Sequence, residues 1–93
     1  MRALALILPL LACGPHPGPD AYLCDGGLGV SVARGAHAAD LALSTGERTR
    51  LPRRPAMSGA RYVGRDVAWH ERGDAALIDR KGVADLCRLV RRG

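Results

Sequence analysis

The sequence predicts an all-β fold, a small antiparallel sheet or barrel closed by one disulfide, and three observations lead there. Apolar residues recur at every second position in short runs: Leu28, Val30 and Val32, then Ala39, Leu41 and Leu43, then Val67 and Trp69. Turn-forming pairs, Gly26-Gly27, Thr45-Gly46, Ser58-Gly59 and Gly73-Asp74, punctuate the chain at hairpin spacing. Two cysteines, Cys24 and Cys87, stand near the two ends of the body of the chain.

Each observation has a physical basis. Period-two alternation is the pattern of a strand with one face buried. Glycine in the punctuating pairs supplies the backbone conformations that tight hairpins demand. No amphipathic helix of ordinary length fits between those turns. Val83 to Val90 is the exception, because Val83, Leu86, Leu89 and Val90 follow helical spacing behind Gly82. That segment leaves strand or short helical turn open at the C-terminus.

The N-terminus reads as an export signal. Arg2 is followed by an uncharged apolar run, Ala3 to Ala12, that ends against Cys13. The run is shorter than the roughly 20 residues needed to span a bilayer as a helix and suits the apolar core of a signal peptide. Leu10, Leu11, Ala12 and Cys13 look like a lipobox, the cleavage signal of bacterial lipoproteins. Residues 1–12 are therefore expected to be removed and Cys13 to carry lipid, palmitate included. Buried acyl chains then hold the protein to a membrane at roughly 0.8 kcal/mol per methylene. Gly14 in place of an aspartate resembles the outer-membrane sorting pattern of Gram-negative bacteria, which places the protein in the cell envelope, on the outer membrane and facing the periplasm.

Residues 13–20 form the expected tether, since GPHPGPD contains little that could join a core and its prolines keep it extended. His16 within it has no second ligand at metal-site spacing. The body, residues 21–93, is one domain near the lower size limit for a core that holds without cross-links. With Cys13 assigned to lipid, Cys24 and Cys87 form a natural pair in an oxidising periplasm; two free buried thiols are the alternative.

Generic chemical motifs are missing. The sequence contains no CxxC, HExxH, GxSxG or glycine-rich phosphate loop. Ser58, His37 and His70 could be written as catalytic parts, but a domain of this size has little room for a substrate pocket and its supporting shell. No enzyme, cofactor or metal site is expected.

Two segments carry more. SGARY, Ser58 to Tyr62, and WHERGDAA, Trp69 to Ala76, resemble the paired motifs of the membrane-bound lysozyme inhibitor family that acts on C-type lysozymes. YLCDG, Tyr22 to Gly26, and Cys87 fall where that family places its paired cysteines. The resemblance implies a small antiparallel β-barrel that inserts a loop into the lysozyme cleft. Cleavage there depends on two facing carboxyl groups. By resemblance, the Ser58 hydroxyl would bond one carboxyl and Arg72 would pair with the other, Gly59 would permit the tight loop, and Tyr62 would brace it from behind. The partner would be a C-type lysozyme of host or environment, and the role protection of the bacterial cell wall.

Two departures from the family pattern stand out. Arg72 replaces a lysine, keeping the charge but presenting a planar fork of donors. His70 replaces the second aromatic residue, after Trp69. Charge pulls the other way from the partner: 14 Lys plus Arg against 9 Asp plus Glu give a net +5, and C-type lysozymes are themselves basic, so long-range steering opposes encounter. Arg48, Arg50, Arg53 and Arg54 form a dense patch, which supports a second reading as an envelope lipoprotein that binds anionic surfaces or another envelope component. Nucleic acid is not expected, because an aromatic content of 3% provides no stacking platform.

Overall fold

A computed structural model describes residues 18–93, and the expected signal peptide, Cys13 and most of the tether lie outside that range. The described chain is all strand: β1 Asp20–Cys24, β2 Gly29–Arg34, β3 Ala38–Leu43, β4 Arg48–Arg54, β5 Ala60–Val63, β6 Val67–Arg72, β7 Ala75–Arg80 and β8 Val83–Arg91. Each strand pairs antiparallel with the next, and β8 returns to pair with β1, so the sheet closes into an eight-stranded barrel. Closure leaves no open sheet edge, which removes the usual template for aggregation.

The alternating residues face inward. Leu28, Val30, Val32, Ala39, Leu41, Leu43 and Trp69 are buried, and Val67 packs against them. Tyr22, Leu51, Tyr62, Ala76 and Ile78 complete the filling. At the centre, Tyr22 meets Trp69 edge to face, with ring centroids 4.9 Å apart. Such a pair contributes about 0.5–1.5 kcal/mol beyond its buried area.

Cys24 and Cys87 form the disulfide. They are direct register partners across the β1–β8 seam, so the bond locks the first strand to the last. β1 begins at Asp20, one residue inside the stretch read as tether, and Asp20 is buried.

The helical turn that the spacing left open at Val83 to Val90 does not form. These residues belong to β8. The tight turn at Lys81 and Gly82, both with positive φ, sends the chain straight back alongside β7. Cys87 and Leu89 face the core, whereas Val83 and Val90 are exposed, so the helically spaced residues share no buried face. A register shift opposite Ala21 and Tyr22 pairs them with Arg91 and Leu89 and skips Val90. An extra residue at such a bulge breaks the period-two pattern and explains why the sequence read ambiguously there.

Candidate functional site

In an up-and-down barrel, alternate connections share an end. The β2–β3, β4–β5 and β6–β7 connections therefore gather at one end, together with the start of β1 and the finish of β8. Ser58 and Gly59 lie in the β4–β5 connection, and Arg72 is the last residue of β6 before the Gly73-Asp74 turn. All three are exposed.

Gly59 brings these pieces together. Its φ is +70°, and a β-carbon there would collide with the backbone carbonyl of Glu71 and lie 3.1 Å from Cγ of Arg72. Only glycine accepts both that conformation and that approach. The loop thus packs against the end of β6, beside the aliphatic stem of Arg72. A second tie is polar: Nε2 of His70 lies 3.2 Å from the backbone oxygen of Ser58, a distance at which the ring N–H donates to that carbonyl. His70, the departure from the family's aromatic, therefore supports the loop by a hydrogen bond.

Tyr62 is buried, paired with Trp69 across β5 and β6, and lies under the guanidinium of Arg53 at 5.9 Å. Its side chain supports the loop strand from the core side and does not reach the surface.

Sequence reasoning missed a charged cluster beneath this end. Glu71, between His70 and Arg72, turns inward and is buried. Arg34, at the end of β2, reaches across the lumen to it: Arg34 Nε donates to both carboxylate oxygens at 2.9 Å, and its terminal nitrogen lies 2.6 Å from Oε2. The same guanidinium donates to Asp20 at 2.8 Å and to the Tyr22 hydroxyl at 2.9 Å. The Trp69 indole N–H donates to Glu71 at 2.8 Å. Asp20 also accepts the Gly93 N–H at 2.8 Å, which joins the two ends of the domain.

The electrostatics follow. The Gly93 N–H, and then Arg34, hold the Asp20 carboxyl below its ordinary range despite burial. Burial and the nearby Glu71 push the Tyr22 hydroxyl up, keeping it neutral. The Glu71 carboxylate raises the pKa of Arg34, so this guanidinium stays charged at all working pH. The only sequence signal for the cluster was polar residues at inward positions, Glu71 between Trp69 and the turn.

The arginine patch divides. Arg50 is engaged by Asp40 through two hydrogen bonds, at 2.8 and 3.1 Å, and Arg53 lies over Tyr62, while Arg48 and Arg54 are exposed. A surface cleft of about 940 Å³ lies at the opposite end and carries both signs of charge, Arg48, Arg65 and Lys81 with Glu47, Asp66 and Asp85. His37 lies in the β2–β3 connection, and the Ser58 carbonyl is met by His70. Among the described residues, no group of three or more His, Cys, Asp or Glu is placed to hold a metal ion.

The chain is a small disulfide-closed β-barrel in which an exposed glycine-built loop packs beside an exposed arginine at one end. A family model described as membrane-bound lysozyme-inhibitor of c-type lysozyme matches residues 22–86, and the chain belongs to that family. Membership implies lysozyme inhibition. No curated protein and no solved structure gives a significant match to the chain.

Proposed function

We propose that this protein inhibits c-type lysozyme by seating the Ser58–Gly59 loop in the active-site cleft, with the Ser58 hydroxyl and the Arg72 guanidinium addressing the two catalytic carboxyls. The observation that carries the reading is the packing of Gly59 onto β6, which sets the serine loop beside the arginine on a single exposed ridge. Contacts of this kind are charge-assisted, and an arginine can grip a carboxylate with two parallel bonds. Short-range pairing has to overcome repulsion between two basic proteins, so desalting, which lengthens the range of that repulsion, is expected to slow association where it would speed it for oppositely charged partners.

The family's description as membrane-bound supports envelope association, and the lipobox-like Leu10 to Cys13 supports an acyl anchor on Cys13. The chain enters β1 at the site end of the barrel, so the preceding proline- and glycine-rich segment serves as the spacer that gives a lysozyme room to approach.

The test is a cell-wall clearing assay with a c-type lysozyme and the chain from residue 13 onward, carrying Cys13→Ser. Dose-dependent loss of clearing is expected. Undiminished clearing at high molar excess overturns the reading.

A further inference from the structure

We infer that the Arg34–Glu71 ion pair is the anchor that holds Ser58 and Arg72 in one frame, which makes both residues positioning residues of the lysozyme-contact ridge. The inference rests on the proposed role of that ridge.

Three consecutive residues of β6 meet the serine loop in three different ways. His70 bonds the Ser58 carbonyl, the Glu71 backbone faces Gly59 and pairs with Ala60, and Arg72 runs its stem past Gly59. Strand alternation turns the side chains of His70 and Arg72 outward and that of Glu71 inward. The loop is therefore located on the outside by the same short stretch that Glu71 secures on the inside.

What secures Glu71 comes from across the barrel. β2 and β6 are not neighbours in the sheet, so no backbone ladder connects them. Arg34 connects them through the lumen, fixing the Glu71 carboxylate from one side while the Trp69 indole fixes it from the other. Arg34 is itself held by Asp20 and Tyr22 of β1. The end of β6 is thus tied to β1 and β2, the half of the barrel that does not carry the ridge.

An ion pair between an exposed arginine and a buried glutamate is a poor source of net stability, because desolvation of the carboxylate and solvent screening at the arginine offset most of its attraction. Apolar replacements would leave the Trp69 indole N–H without its acceptor and Asp20 without its guanidinium, so some stability goes with them. Their lack of directional bonds would leave the end of β6 free to shift, and placement of the ridge depends on that end.

The experiment replaces both partners, Arg34→Met with Glu71→Leu, and compares this variant with Glu71→Gln, which keeps the shape and part of the bonding. Amide exchange at Gly59, Ala60 and Arg61 is read beside inhibition and thermal stability. The expected result is exchange at these three amides about tenfold faster, with Val32 and Leu41 changed much less, and inhibition weakened about tenfold, a larger proportional loss than the fall in thermal stability. Glu71→Gln should move both readouts in the same direction by less. Emission of Trp69, the sole tryptophan, reports whether the indole bond has been lost. Parental exchange and inhibition in both variants would overturn the inference. If the parent chain fails to inhibit at all, the proposed function falls, and the exchange data alone decide whether the pair anchors the loop. If the double variant does not fold, the Glu71→Gln comparison decides in the same way.

Discussion

Gly59 approaches the backbone carbonyl of Glu71 so closely that no β-carbon fits between them. Gly59→Ala must therefore lift the β4–β5 loop from β6 as well as accept a positive φ. A stability loss of about 1–3 kcal/mol is expected, together with a larger proportional loss of lysozyme inhibition. Thermal melting and inhibition constants measured on one preparation check this; parental inhibition by Gly59→Ala would show that the loop's seat on β6 does not matter to the site.

Ser58→Ala removes the proposed hydrogen bond to a charged carboxyl. The expected cost is about 1.5–3 kcal/mol, or roughly one to two decades in inhibition constant. Arg72→Ala should cost at least as much, since it leaves a buried lysozyme carboxylate without a partner. Arg72→Lys should retain inhibition. Both side chains are exposed, so melting temperatures should stay close to the parent's. If both alanine variants inhibit like the parent, the ridge is not the contact surface.

Removing the seam bond by Cys24→Ser with Cys87→Ser frees a loop of 63 residues' separation. In the loop-entropy model the loss is about 4 kcal/mol, comparable with the entire stability of a small domain. Circular dichroism should show a largely unfolded chain at physiological temperature. A cooperative transition near the parental temperature would mean that the barrel core suffices alone.

Acid should weaken the fold through Asp20. Its carboxyl titrates lower in the folded protein than the ordinary value of 3.8, so below that value the unfolded chain binds more protons. The stabilising contribution is complete above about pH 5 and disappears as pH falls through the lowered folded value. Asp20→Asn should be less stable than the parent at neutral pH and should show a shallower loss of stability below about pH 4. Denaturant midpoints measured across that range check both statements, and identical pH profiles would remove Asp20 from the account.

The anchor is tested on the full chain in cells. Cys13→Ser should stop acylation and release the protein from the membrane fraction while leaving clearing-assay inhibition by the purified protein intact. Continued membrane partition would contradict acylation at that residue.

Much of the fold was legible in the sequence. Side-chain alternation in a strand is local, with each residue's face set by its parity, so Leu28, Val30, Val32, Ala39, Leu41, Leu43 and Trp69 could be assigned to the interior from their spacing. The hairpin glycines and the Cys24–Cys87 pair were legible for similar reasons, as was the likeness of SGARY and WHERGDAA to the family motifs. β8 was not, because its bulge against β1 inserts a residue into the alternation, and only the partner strand determines where that residue is placed.

The charged cluster lay wholly beyond local reading. Arg34 stands 14 residues from Asp20 and 37 from Glu71, and β2 and β6 share no ladder, so neither spacing nor strand order foretells their meeting. What the sequence by itself determined was which residues could face inward and where the chain could turn. Closure and register of the barrel decided which inward residues meet across the lumen, and with that the seat of Glu71 and the approach of Gly59 to its carbonyl.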